Sequence, residues 1–133
     1  MRVLFVTPFP IAAGATHGGG SYLGALVAAM RQQAEVEVAC LGDGPTQAPG
    51  PDTGPYVAHH PHRRGIAGRL ANLWRWRSSP LVAAKAWNPE LARLLRTAVA
   101  TFRPDVACVE MAQMAQYLPF LLPVPTVLTD HEA

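Results

Sequence analysis

Residues 2–7, RVLFVT, are apolar at both alternating sets of positions, Val3 and Phe5 on one and Leu4 and Val6 on the other. A strand of that pattern has no side that suits water. It belongs in a sheet covered on both faces, which in practice means a parallel sheet flanked by helices. The runs EVEVACL at 35–41, DVACVE at 105–110 and VPTVLT ending at Thr129 are of the same kind, and Tyr56 to His59 is a shorter one.

Between these runs the apolar period lengthens. A helix is expected from about Ser21 to Gln33, with Tyr22, Leu26 and Met30 at four-residue spacing and Leu23 and Val27 beside them. Ile66, Leu70, Leu73 and Trp74 predict a short amphipathic helix over 66–76. Ser79-Pro80 opens another, to about Trp87. Asn88-Pro89-Glu90 is a stronger start, for a helix over 89–102 whose inner face carries Leu91, Leu94, Leu95, Ala98 and Phe102. Arg103-Pro104 ends it, and Met111 to Leu118 is a further short helix. Residues 8–20 and 42–55 are rich in turn formers; the first reads as a loop before the first helix, the second as an exposed, mobile loop. Strands alternating with helices make one α/β domain over 1–133: a Rossmann-like, doubly wound parallel sheet of about five strands, order 3-2-1-4-5, helices on both faces.

Composition narrows the function classes. The formal net charge is only +2, which gives no footing for nucleic-acid binding. Cys40 and Cys108 each lie in an apolar run and read as buried free thiols, in keeping with a reducing cytoplasm. Pro8 and Pro10 interrupt the apolar start, so a strand explains it better than a signal peptide. No stretch reaches the roughly 20 apolar residues of a membrane span.

In a sheet of this order, ligands gather at the carboxyl ends of the strands. Three features fall there: the loop that enters the first helix through Gly18-Gly19-Gly20, Glu110 ending the fourth strand, and Asp130-His131-Glu132 after the fifth. Glycines let backbone N–H groups approach an anion, and a helix start adds partial positive charge, so Gly18, Gly19 and Gly20 are candidates for holding phosphate. A flexible turn explains them equally well. His131 can hydrogen-bond a sugar hydroxyl or phosphate, or it is a frayed terminal residue; Glu110 is an acceptor-binding carboxylate or a solvated strand end. His59, His60 and His62 are separated by Pro61 and have no carboxylate or Cys close by in sequence, so a surface loop is expected and no metal site.

From Thr53 to Pro89 there is no Asp or Glu, whereas Arg63, Arg64, Arg69, Arg75 and Arg77 fall there together with Trp74 and Trp76. A basic amphipathic helix with Trp can lie on a membrane surface or against a partner. In the other arrangement Ile66, Leu70, Leu73 and one Trp pack on the domain and only the arginines are solvated.

MRVLFVTPFP, the Gly-rich loop, RPDVACVE and VPTVLTDHEA, in that order, resemble successive landmarks of the retaining GT-B glycosyltransferases of the "group 1" kind. The resemblance covers nearly the whole chain through loose motifs, and Glu132 stands where that family often has Asp. It implies an amino-terminal, acceptor-side domain. Gly18 to Gly20 would border the phosphates of a nucleotide-sugar donor, and His131 would orient sugar or acceptor. Residues 62–77 are similar to the basic patch by which many members dock on a membrane. It further implies a second, nucleotide-sugar domain not contained in these residues, so that the chain alone is expected to be inactive, with no cofactor of its own. The other expectation is a non-catalytic binding subunit that completes its sheet with a partner chain, a second copy through the last strand, or a membrane surface. The setting implied is cytoplasmic, at most peripheral at the inner membrane face.

Overall fold

The computed structural model describes residues 1–11, 18–42, 54–59, 70, 74, 77 and 81–130. Strands β1 (Arg2–Thr7), β2 (Glu35–Gly42), β3 (Tyr56–His59), β4 (Val106–Glu110) and β5 (Thr126–Thr129) form one sheet in the order β3-β2-β1-β4-β5. Every pairing is parallel. The expected Rossmann-like α/β architecture is therefore what this sequence forms.

Side-chain alternation sends β1 into two cores. Val3 and Phe5 join Val38, Cys40 and Val57 beneath helix α1 (Gly18–Met30), whose contribution is Leu23 and Val27. Leu4 and Val6 join Ala39, Leu41, Ala107 and Val109 on the opposite face. That face is covered by α2 (Leu81–Ala86), α3 (Pro89–Thr101) and a 3₁₀ segment (Ala112–Phe120). Each fully buried Leu, Val or Phe contributes about 1.5–3 kcal/mol, so these two layers account for most of what holds the sheet.

Helix α3 forms where its start signals predict. Asn88 accepts from the Glu90 amide at 2.8 Å, and Pro89 takes a position where a missing N–H costs nothing. Leu91, Leu95 and Ala98 face inward. Arg103, at φ 52°, occupies the left-handed position after the helix that glycine usually fills.

Several boundaries differ from expectation. The three glycines are the first turn of α1, not a loop, and past Met30 the chain tightens at Gln32 and Gln33 to i→i−3 bonds. Its buried stripe is Leu23–Val27, with Tyr22 in solvent, because the sheet lies under those two. The segment after Met111 is 3₁₀, with Pro119 inside it, and Pro123–Pro125 precede β5 instead of belonging to it. Of the glycine-rich stretch before β3, Gly54 is not exposed. At φ +79° it lies against β2, so close that a Cβ would stand 2.3 Å from the Val38 carbonyl oxygen. Residues 43–53 lie outside the described residues.

Candidate site at the carboxyl edge of the sheet

The chain leaves β1 at Thr7, which is fully buried and whose Oγ1 donates to the Phe9 carbonyl at 2.7 Å. This short turn brings Phe9 back over the start of α1. A Cβ on Gly19 would meet the Phe9 ring at 3.2 Å, so a side chain there would push the ring back by a few tenths of an ångström. The glycine start of α1 thus borders the carboxyl edge of β1, where the first N–H groups of a helix lack intrahelical acceptors.

Glu110 ends β4 one place beyond the Val6–Val109 pair, beside Thr7, and pairs with Thr129 of β5. Alternation puts it on the α1 face of the sheet with Cys108. Only 2% of it is exposed, so the solvated strand end is excluded. A buried carboxylate is costly unless polar groups satisfy it, which makes one at this rim a candidate for function. Its charge reaches Cys108: burial pushes that thiol above its ordinary value, and the Glu110 carboxylate pushes it further.

Met111 follows at φ 76° and ψ 139°, a region that side chains rarely occupy. Its amide donates to the Thr129 carbonyl at 2.7 Å, extending the β4–β5 ladder one residue past the strand. Its own carbonyl accepts from the Met114 amide at 3.0 Å and starts the 3₁₀ segment. Two ladders meeting at one residue force the unusual backbone, at a cost of about 1–3 kcal/mol. Sequence reasoning missed Met111, because nothing in a methionine announces a positive φ.

The rim therefore unites Thr7, the glycine start of α1, Glu110, Met111 and Thr129. His131 lies outside the described residues; Asp130, which precedes it, is exposed at this same end. His59 ends β3, three strands from Glu110, or about 14 Å at ordinary strand spacing. It belongs to the strand rather than to a surface loop, and its carbonyl accepts from Asn88 Nδ2 at 3.0 Å. His60 and His62 lie outside the described residues, among which no group of His, Cys, Asp and Glu could hold a metal ion.

Of the basic segment, Leu70, Trp74 and Arg77 are described. Leu70 is 61% exposed and Trp74 76%, one helical turn apart, and Arg77 is exposed as well. Leu70 therefore does not pack on the domain. Arg63, Arg64, Arg69, Arg75 and Trp76 lie outside the described residues. No helix among the described residues is long and apolar enough to cross a membrane.

Strand β5 ends one side of the sheet, with no further strand beside it among the described residues, and Val127 and Leu128 are 54% and 44% exposed on its two faces. No known protein family matches this chain, and no curated protein matches its sequence.

Proposed function

We propose that the carboxyl edge of this sheet is the acceptor-side part of a glycosyltransferase site that moves a sugar from a nucleotide diphosphate to a hydroxyl acceptor with retention. The observation that carries this reading is Glu110, a carboxylate withdrawn from water at a strand end, next to a strained Met111 and on the sheet face that carries the glycine-started helix. A carboxylate so placed accepts hydrogen bonds from sugar or alcohol hydroxyls and resists exchange with water. Gly18 to Gly20 border the donor phosphates, where the helix start favours negative charge. His131 orients the sugar or acceptor. The setting is cytoplasmic.

The test is a titration followed by amide chemical shifts, with nucleoside diphosphates in one series and simple alkyl glycosides in another. Shifts should cluster at Thr7–Phe9, Gly18–Ser21, Glu110–Met111 and Thr129–Asp130. Glu110→Gln should weaken glycoside binding severalfold. If neither ligand class moves these amides, the reading fails.

The outer edge of β5, unpaired among the described residues, favours a second reading, a binding subunit that completes its sheet with a partner strand or a second copy. A clean monomer in concentrated solution would count against the second copy. The exposed Leu70 and Trp74, in an acid-free stretch, favour peripheral contact with an anionic membrane face. Cosedimentation with anionic but not neutral vesicles, lost in Trp74→Ala, is the outcome expected for it.

A further inference from the structure

Helix α3 carries a second feature, independent of the rim. Along its outer side runs an open groove of about 560 Å³, lined by Trp87, Ala92, Arg93, Arg96, Thr101 and Phe120, among others. Its floor is aromatic. Trp87 stacks on Tyr117 at 5.2 Å and 12°, and Phe120 lies against Trp87 at 5.8 Å. Arg96 crosses the Phe120 ring at 4.9 Å, and Arg93 and Arg96 both stand exposed.

We propose that this groove receives an acidic amphipathic segment of a partner protein, its apolar side chains on the Trp87–Phe120 floor and its carboxylates on Arg93 and Arg96. Three observations select that occupant.

The first is charge. Among the described residues neither guanidinium meets a carboxylate. The neighbouring hydroxyls are turned away, since Thr97 Oγ1 donates to the Arg93 carbonyl at 3.2 Å and Thr101 Oγ1 to the Thr97 carbonyl at 2.8 Å. The two arginines are therefore the groove's strongest donors to a guest, and a guanidinium binds a carboxylate through paired N–H bonds.

The second is length. The lining follows α3 from Pro89 to Thr101, about 18 Å at 1.5 Å per residue, which suits a rod laid beside a helix better than a compact ligand.

The third is shape. Trp87 already has Tyr117 on one face, and Phe120 lies beneath Arg96, so a flat ligand finds at most one ring face to stack on.

Random peptides displayed on phage, selected against the intact chain, test the proposal. Enriched sequences should combine Leu, Phe or Trp with Asp or Glu at helical spacing. Their synthetic, labelled forms should bind at least tenfold more weakly to Arg93→Glu/Arg96→Glu, and Lys-for-Glu versions should bind that variant better than the parent. Arg93→Gln/Arg96→Gln serves as the uncharged check, and near-ultraviolet circular dichroism verifies that each variant keeps its fold. Enrichment without acidic residues, affinity unmoved by the double reversal, or no enrichment over a blank surface would each overturn it.

Discussion

The Asn88 amide donates to the Tyr117 hydroxyl at 2.6 Å, and the same hydroxyl donates to the Ala86 carbonyl at 2.7 Å. Both residues are buried, and Asn88 also caps α3 and donates through Nδ2 to β3. One phenol thus joins the α2–α3 corner to the 3₁₀ segment.

Tyr117→Phe keeps the ring, and with it the stack on Trp87, but leaves the Asn88 N–H and the Ala86 C=O unpaired in the core. The expected loss is about 2–4 kcal/mol, since each buried unsatisfied group costs about 1–3. The thermal midpoint should fall by roughly 10 °C. A denaturant melt showing no change would mean that water replaces the hydroxyl.

Met111→Gly runs the other way. Truncating a half-buried methionine ordinarily destabilises, yet glycine accepts φ 76° without strain. Relief of about 1–3 kcal/mol should leave the variant as stable as the parent or more so. A clear drop in the denaturation midpoint would show that the backbone at this corner is not strained.

Cys108 gives the site a pH signature. Burial first, then the Glu110 carboxylate, raise its thiol above the ordinary value of 9.0. A raised value favours the protonated thiol in the fold, so this group's contribution to stability is complete below about pH 9 and declines as pH rises beyond it. Its alkylation by iodoacetamide should be slow at pH 8. Glu110→Gln removes the repelling charge and should speed it. Equal rates would show that the carboxylate does not act on the thiol.

Gly54→Ala probes the packing that precedes β3. A methyl group would sit 2.3 Å from the Val38 carbonyl oxygen, and the φ of +79° would be strained besides. Backbone must move, and a loss of more than about 2 kcal/mol is expected. An unchanged urea midpoint would contradict the close approach.

The sheet was legible because its strands are buried on both faces, and that requirement writes itself into Val3 to Val6 and Val106 to Val109. Helix α3 was legible because Asn88, Pro89 and Glu90 are local signals. The start of α1 was not. Glycine is a poor helix former, so Gly18 to Gly20 read as loop, whereas in the fold they make the first turn of α1 with Phe9 packed at Gly19. The 3₁₀ segment was misread for a related reason: its Met114, Tyr117 and Leu121 spacing suits either helix type. Of the site, Glu110 could be placed at a rim from sequence, but its burial depends on neighbours from β1 and β5. The α3 groove was invisible, since Trp87 and Phe120 meet only after the chain has crossed the sheet.

At the other end of the strands the chain is tied down. The Arg2 amide donates to Asp105 Oδ2 at 2.7 Å, Asp105 returns its amide to the Arg2 carbonyl at 2.8 Å, and the Glu35 amide reaches the Met1 carbonyl at 3.0 Å. Met1 is therefore anchored about 20 Å from Thr7, the height of a six-residue strand. A purification handle or fluorescent reporter joined ahead of Met1 would hang from the floor of the molecule, leaving the carboxyl edge of the sheet unobstructed during ligand titrations.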